Sequence, residues 1–467
     1  MRSDDSARDE PEAASERKPS EPRADSAESA DDAGEEPSAE PLIGPLRGVP
    51  LRRGRRGRDG PTAEQAAGSQ RVSLRAAMVA AFDEHSYAEL GVRELCERSG
   101  ISSRDLYRHY RGGIYDCYVD CAERVTAQIV ARVARAWRRG DELHERLSSV
   151  LAGFTKLVAT EPGAARLALC EPFVVGPPAV QAMRAAEERL QKALIAEVSA
   201  FTLKPTETAV RAMFAGVVDL TRARLLTGSH AELPGLAGEL SAWALYCLQI
   251  APPSQERRLQ SRSLHSPSQL VLARAARSDS PERARILAAT IRLAGQRGYA
   301  GLTETAISRQ ARVSRRSFRG HFADKHAAFV AALETLWETA LQHAGDIARA
   351  SAGRRQGQDH AILALVGCLA EDPLFARLAL NVLPAAAGKH GFHDRARLMR
   401  IAARALRTST PAGQRPSTAA SEATVAGAWA IISRYSSAGR PDDLAEVVHT
   451  VSRLALAPGR EHGGRAA

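Results

Sequence analysis

The sequence predicts an all-α protein, and three observations lead to that prediction. From about Val72 to Ile250, and again from about Pro281 to Leu456, apolar residues recur three and four positions apart, the spacing of one helix face. Runs of alternating β-branched residues are scarce, so an extensive sheet is not expected. Aromatic residues make up only 5% of the chain, which favours helices packed through small and branched aliphatic side chains.

Polar segments surround these two helical blocks. Residues 1–68 nearly lack large apolar side chains and are rich in Ser, Pro and acidic residues, so they are expected to be disordered. Residues 251–280 begin with Ala-Pro-Pro-Ser and predict a linker with one short helix near Leu270–Ala276. The predicted domains are a three-helix segment at 69–118 with a helical bundle at 119–250, a second three-helix segment at 281–330 with a bundle at 331–457, and a polar tail at 458–467.

The charge of the chain is unevenly distributed. The formal net charge is +10, although the first 40 residues contain 14 acidic and five basic side chains. The remainder is therefore strongly basic, which predicts a polyanionic partner such as nucleic acid. On charge alone, the alternative is an arginine-rich surface that only reflects genome composition.

The second block repeats the first. Tyr87-Ala88-x-Leu90 corresponds to Tyr299-Ala300-x-Leu302, an offset of 212 positions. The same offset pairs Ile101-Ser102 with Val313-Ser314, Arg104 with Arg316, Leu106 with Phe318, and His109-Tyr110 with His321-Phe322. A repeat unit of roughly 180–210 residues is too long for a solenoid and indicates a fused or duplicated subunit.

One stretch of the first block has the pattern of a short helix behind a tight turn. Gly100 can take the left-handed conformation that the turn needs, and Ser102 can cap the next helix. That helix, Ser103–Tyr110, is expected to bury Leu106 and Tyr110. Its outward side chains are then Ser103, Arg104, Tyr107 and Arg108. A short helix that presents polar side chains after such a turn is suited to the DNA major groove.

The second block has the same plan. Thr303 is predicted to cap the second helix, Val313-Ser314 to form the turn, and Asp324-Lys325 to open a long fourth helix. Phe318 and Phe322 are expected to point inward. The outward residues of the third helix are then Arg315, Arg316 and Arg319, with His321 near its end.

Both stretches resemble the N-terminal domain of the tetracycline-repressor (TetR) family, over about 47 residues each. The resemblance implies a bacterial regulator of transcription that binds double-stranded DNA, with a C-terminal helical domain that binds a small-molecule effector and dimerises. It makes Ser103, Arg104, Arg108, Arg315 and Arg316 candidate base readers. It makes Tyr107, His109, Thr303, His321 and Lys325 candidate phosphate contacts, and Ser102, Ser314 and Arg319 complete the predicted DNA-binding set.

Four positions depart from the family pattern. In the first stretch, Gly113 replaces the lysine that opens the fourth helix, and Gly91 stands where the second stretch has Thr303. The first stretch therefore lacks two phosphate contacts, which weakens binding to any DNA sequence. In the second stretch, Arg312 replaces the turn glycine at a cost of about 1 kcal/mol, and Arg319 replaces a tyrosine.

A basic arm precedes the first stretch. Arg53, Arg55, Arg56 and Arg58 are predicted either to enter an A·T-rich minor groove or to act as an unspecific electrostatic tether.

The two bundles are expected to supply the effector and assembly functions. The last two helices of each block are long and apolar, at about Thr206–Leu226 with Leu236–Ile250, and Glu422–Ser437 with Leu444–Leu456. The resemblance implies that such pairs join two subunits, here the two halves of one chain in a pseudo-dimer, or two chains in a homodimer. Phe154, Phe173, Met183, Phe214 and Trp243 are weak candidates for an effector pocket, with plain core as the alternative.

An enzyme is the competing class of function. The sequence has no Gly-rich phosphate loop, no GxSxG elbow and no HExxH motif, so no catalytic residue is predicted. No cofactor, metal site or membrane span is predicted either, and a cytoplasmic, nucleoid-associated protein is expected. A protein-interaction or ligand-sensing module with one degenerate head is the second alternative.

Overall fold

The computed structural model describes residues 63–201, 203–250, 266–277, 281–350, 360–361, 364–365, 367–369, 372–382, 389–409, 415–438 and 444–455. Every regular element among them is a helix, so the all-α prediction is confirmed. The α-helices of the first block are α1 (Ala63–Glu84), α2 (Val92–Ser99), α3 (Ser103–His109), α4 (Ile114–Trp137), α5 (Leu143–Thr160), α6 (Pro162–Leu169), α7 (Pro172–Val175), α8 (Pro177–Val198), α9 (Glu207–Leu226) and α10 (Ala237–Leu248).

The helices that follow are α11 (Pro267–Ala275), α12 (Glu282–Arg297), α13 (Glu304–Ala311), α14 (Arg315–His321), α15 (Lys325–Ala350), α16 (Pro373–Ala376), α17 (Lys389–Ser409), α18 (Thr418–Ala438) and α19 (Leu444–Ala455). A π-helical stretch, Arg377–Val382, follows α16. Helix α18 begins four residues before the predicted Glu422, because the hydroxyl of Ser417 caps it by accepting a hydrogen bond from the Ala420 N–H at 3.1 Å.

Helices α1–α3 form the first head. The apolar face of α1 is buried, namely Leu74, Ala77, Met78, Ala81 and Phe82. Helix α1 starts at Ala63, so residues 63–68 are helical although the sequence predicts a tail there. The residues Ala63-Glu-Gln-Ala-Ala favour a helix by intrinsic propensity, and this first turn needs no apolar face.

The buried carboxylate of Glu171, between α6 and α7, anchors the first head to its bundle. The side chain is 2% exposed and accepts hydrogen bonds from the Tyr87 N–H at 2.9 Å and the Ser86 hydroxyl at 3.4 Å. Burial raises the pKa of Glu171, whereas these bonds and Arg166, 3.5 Å away, favour its charged form. The position of the first head therefore depends on the turn after α6.

Helices α12–α14 form the second head. The inner face of α12 is buried, namely Ile286, Leu287, Ala289, Thr290 and Leu293. Helix α11 lies in the predicted linker and packs on α12 and α15. Asp372 holds its start by accepting hydrogen bonds from the N–H and the hydroxyl of Ser268, both at 2.8 Å. The rest of that linker, residues 251–265 and 278–280, lies outside the described residues.

The two blocks meet where α9 crosses α18. A Cβ added at Gly216 of α9 would lie 2.5 Å from the carbonyl oxygen of Ala423, and one added at Gly427 of α18 would lie 2.5 Å from the carbonyl oxygen of Ala212. The two contacts are reciprocal. At an offset of 211 positions, Gly427 corresponds to Gly216 and Ala423 corresponds to Ala212, so each glycine lies against the alanine of the other block. Both backbones can approach this closely because glycine has no side chain at the crossing.

Polar contacts join the same two blocks. The indole N–H of Trp243 donates to the hydroxyl of Thr424 at 3.0 Å, and the Tyr246 hydroxyl donates to the carbonyl of Arg453 at 2.8 Å. Helix α10 therefore contacts α18 through a buried hydrogen bond and α19 through an exposed one. None of the described helices combines the length and the apolar character that a bilayer crossing needs.

Candidate nucleic-acid interface

The turn before α3 has the conformation predicted from its glycine. Gly100 has φ 68° and ψ 17°, the left-handed region, and Ile101 behind it is 6% exposed. Ser102 caps α3, since its hydroxyl oxygen accepts a hydrogen bond from the Asp105 N–H at 3.1 Å. The turn therefore fixes the direction in which α3 leaves the first head.

The outer face of α3 carries the residues predicted to face outward. Ser103, Arg104, Tyr107 and Arg108 are exposed, and Leu106 and Tyr110 are buried. Sequence reasoning missed Asp105, which accepts a hydrogen bond from the Ser102 hydroxyl at 2.7 Å and pairs with Arg108. The bond from Ser102 and the charge of Arg108 lower the pKa of Asp105. This face therefore presents a carboxylate as well as cations.

The second head repeats this geometry with one strained residue. Arg312 has φ 55° and ψ 47°, the left-handed conformation of Gly100. The Ser314 hydroxyl accepts from the Ser317 N–H at 3.0 Å and caps α14, while Phe318 and Phe322 are buried. Helices α2 and α13, and likewise α3 and α14, have equal lengths and begin 212 positions apart. The turn is therefore conserved in shape although its glycine is not.

We expect Arg312→Gly to stabilise the full chain by about 1 kcal/mol or less. Glycine has no steric cost in the left-handed conformation, but it loses more chain entropy on folding than arginine does. The net increase in the free energy of unfolding is therefore small. The converse change, Gly100→Ala, is expected to cost about 1 kcal/mol for the same steric reason. Thermal unfolding measures both. A lower Tm for Arg312→Gly together with a higher one for Gly100→Ala would contradict the assigned turn geometry.

Helix α14 presents three exposed arginines, two of which have partners in the second head. Arg315 donates to the Thr305 hydroxyl, and Arg319 lies 3.3 Å from the carboxylate of Glu304. No ion pair is formed by Arg316 within the described ranges. Sequence reasoning missed Glu304 and also Glu282 of α12, whose carboxylate accepts a hydrogen bond from Ser317. Arg316 is therefore the arginine of this helix that is available to a ligand without breaking an internal bond.

The histidine at the end of each short helix contacts the first helix of its own head. His109 Nε2 lies 2.8 Å from the side-chain oxygen of Gln70, and His321 Nε2 lies 3.8 Å from the carboxylate of Glu282. Burial and then the charge of Arg71 lower the pKa of His109. A neutral His109 that donates to Gln70 has its N–H engaged inside the head, so it holds α3 on α1 in this arrangement.

The remaining predicted phosphate contacts lie at helix starts of the second head. The hydroxyl of Thr303 caps α13 by accepting from the Ala306 N–H at 3.1 Å, which leaves its own hydrogen available as a donor. Lys325 Nζ donates to the Leu302 carbonyl at 3.0 Å and lies 4.9 Å from the centre of the Tyr299 ring. Two of its three N–H bonds remain available for a phosphate beside α14.

Glycine replaces this lysine in the first head for a local reason. Gly113 has φ 67° and ψ −129°, a conformation that side chains with a Cβ avoid. A Cβ at this position would also lie 3.1 Å from the ring of Tyr107. The first head therefore has no cation at the start of α4. The ring of Tyr107, which is 49% exposed, lies against the backbone of Gly113 instead.

A comparison with known families bears on this geometry. Residues 286–332 match the family model of bacterial regulatory proteins, tetR family. The matched range runs from α12 through α13 and α14 into α15, and it contains every predicted DNA-binding residue of the second head. No curated protein matches the chain.

The match supports a DNA-binding transcriptional regulator at the level of the tetR family. In the matched range, the helix-turn-helix of α13 and α14 is the element that such a domain uses to bind DNA. The basic arm at Arg53, Arg55, Arg56 and Arg58 lies outside the described residues, so its role stays a prediction.

The five residues predicted for a tetR-type effector pocket lie in different surroundings. Trp243 is buried at the contact with α18, and Phe173 and Met183 both contact the guanidinium of Arg222. Phe154 and Phe214 are half-buried against the apolar core. The described residues include no group of three or more His, Cys, Asp or Glu side chains placed to hold a metal ion.

Proposed function

We propose that this chain is a cytoplasmic, nucleoid-associated transcriptional regulator that reads one operator with two non-identical heads. The tetR-family match over the second head, together with the three exposed arginines of α14, is the observation that carries the proposal. The first head is included because its turn, cap and short helix have the same bounds 212 positions earlier. Because α3 and α14 carry different side chains, the operator is asymmetric.

The two blocks form an internal pseudo-dimer in this proposal. The reciprocal contacts of Gly216 with Ala423 and of Gly427 with Ala212 support it, because a two-fold interface repeats each contact with the roles exchanged. Two heads arranged in this way read DNA about 34–36 Å apart, one helical turn. The protein acts as a repressor that a small-molecule effector releases.

Binding of the full chain to the DNA that flanks its own gene tests the proposal. We expect saturable binding with an affinity of about 10⁻⁸ M or tighter at physiological salt, and far weaker binding to a shuffled duplex of equal length. Footprinting should give a protected site without internal symmetry, and sedimentation should give one chain per site. Equal affinity for both duplexes would contradict sequence-specific binding, and an obligate homodimer on a palindrome would contradict the pseudo-dimer.

A second function is favoured by the first head itself. Gly91 and Gly113 stand where the second head has Thr303 and Lys325, and Asp105 adds a negative charge to the outer face of α3. These features suit an interaction or ligand-sensing role for a head that lacks phosphate contacts to DNA. Arg104→Ala with Tyr107→Ala distinguishes the two, since an unchanged DNA affinity would assign the first head to the second function.

A further inference from the structure

A basic cleft opens between α17 and α18. It has a volume of about 400 Å³, within the range of small-molecule sites. Its charged and polar walls are formed by Arg400, Arg404, Arg407, Arg415, Thr418 and Glu422. Four arginines and one glutamate therefore line the same cleft.

The carboxylate does not neutralise this cleft. Glu422 forms an ion pair with Arg224 of α9 at 2.7 Å, so its negative charge is already paired across the contact between the blocks. Neither Arg400 nor Arg404 has an ion-pair partner within the part of the chain that the structure describes. Arg407 donates to the Thr418 hydroxyl at 2.7 Å, but its buried Nε has no acceptor. Arg400, Arg404 and the Nε of Arg407 therefore leave donor capacity unused.

A neighbouring cleft provides an internal comparison. It shares Arg400 and Glu422 and is lined by Asp219, Arg222 and Arg395. There Arg222 and Arg395 are matched, since Asp219 pairs with both of them, and Glu187 lies 3.0 Å from Arg222. Of these two clefts, the one between α17 and α18 therefore has the larger excess of positive charge.

We propose that this cleft binds a small molecule with two or more anionic oxygen groups, either phosphoryl or carboxylate. Guanidinium groups bind such oxygens in bidentate pairs, and the orphaned Nε of Arg407 gains the acceptor it lacks. The cleft borders the Arg224–Glu422 pair that joins α9 to α18, so a bound anion acts on the contact between the two blocks. As the effector site, it deepens the proposed function and rests on it.

Calorimetric titration of the full chain with inorganic pyrophosphate, at about 0.15 M salt, tests the site. We expect one saturable site per chain, and a loss of affinity of about tenfold or more in Arg400→Gln with Arg404→Gln, both exposed side chains that the fold does not need. Arg397→Gln is the control on the same helix: it removes one positive charge, where the double variant removes two, and this arginine pairs with Glu334 instead of lining the cleft. It is expected to change the affinity by less than about twofold. A parallel titration with citrate separates phosphoryl from carboxylate recognition.

Absence of saturable pyrophosphate and citrate binding, or equal losses in the double variant and in Arg397→Gln, would overturn the proposed site. A DNA affinity that falls in the double variant as strongly as its pyrophosphate affinity would overturn it as well, because the cleft would then be a DNA contact. The DNA-binding assay of the unliganded chain distinguishes failure of the proposed anion site from failure of the proposed DNA-binding function. Operator binding without anion binding contradicts this inference alone, and anion binding without operator binding contradicts the regulator.

Discussion

Arg316→Ala is expected to weaken operator binding of the full chain by about ten- to one-hundredfold. Arg316 is exposed on the outer face of α14, and it alone of the three arginines on that face forms no described internal contact, whereas Arg315 contacts Thr305 and Arg319 contacts Glu304. A bidentate arginine–guanine contact discriminates by about 1–3 kcal/mol, and a ten- to one-hundredfold change, about 1.4–2.7 kcal/mol, falls within this range. Fluorescence anisotropy at constant salt measures the change, which should also relax the base preference at one operator position.

Arg189→Ala is the control for this experiment. Arg189 is exposed on α8 in the first bundle, and its loss removes the same charge from a helix that belongs to neither head. We expect it to change operator affinity by less than about twofold, since screening suppresses the effect of a distant surface charge. Equal affinities for the two variants would exclude Arg316 as a base reader.

Gly216→Ala with Gly427→Ala is expected to destabilise the chain by about 2–6 kcal/mol, since overpacking typically costs about 1–3 kcal/mol at each site. Each new methyl group would lie 2.5 Å from a backbone carbonyl oxygen of the facing helix, and the one at position 216 would also lie 2.3 Å from the Trp243 ring. Backbone atoms cannot rotate away, so α9 and α18 must separate. Chemical denaturation monitored by tryptophan fluorescence measures the loss, and operator affinity should fall with it.

Gly153→Ala provides the matched control. Gly153 lies inside α5, where an added Cβ would meet only the Cβ of Ala136 at 3.9 Å. Removal of a helix-interior glycine in open space is expected to stabilise the chain by about 0.5–1 kcal/mol. Similar stability changes at Gly216, Gly427 and Gly153 would show that the close crossing of α9 and α18 is not the cause.

Local chemistry made the helices of both heads predictable. Ser102, Thr303 and Ser314 accept hydrogen bonds from N–H groups three residues later, so each cap is decided within one turn of the chain. The buried faces of α1 and α12 follow from apolar spacing alone. The strained turn at Arg312 was predictable because Gly100 occupies the same place in the repeat.

The partners of the outward side chains were not predictable, because they depend on how helices pack. Ser317 contacts Glu282, which lies 35 positions earlier, and Trp243 contacts Thr424, 181 positions later. The sequence identified Trp243 only as a bulky residue that can line a pocket or a core. Its indole N–H needs a buried acceptor, and the facing block provides one. The basic cleft between α17 and α18 was not predicted either, because it also depends on how helices pack.

The crossing of α9 and α18 within one polypeptide has a consequence for behaviour in the cell. Covalent linkage holds the two helices at an effective concentration in about the millimolar range, whatever the abundance of the protein. Dilution therefore cannot dissociate the two blocks, as it dissociates regulators assembled from separate subunits. If the two blocks bind DNA as the proposed pseudo-dimer, occupancy of a DNA site should follow the copy number to the first power instead of its square.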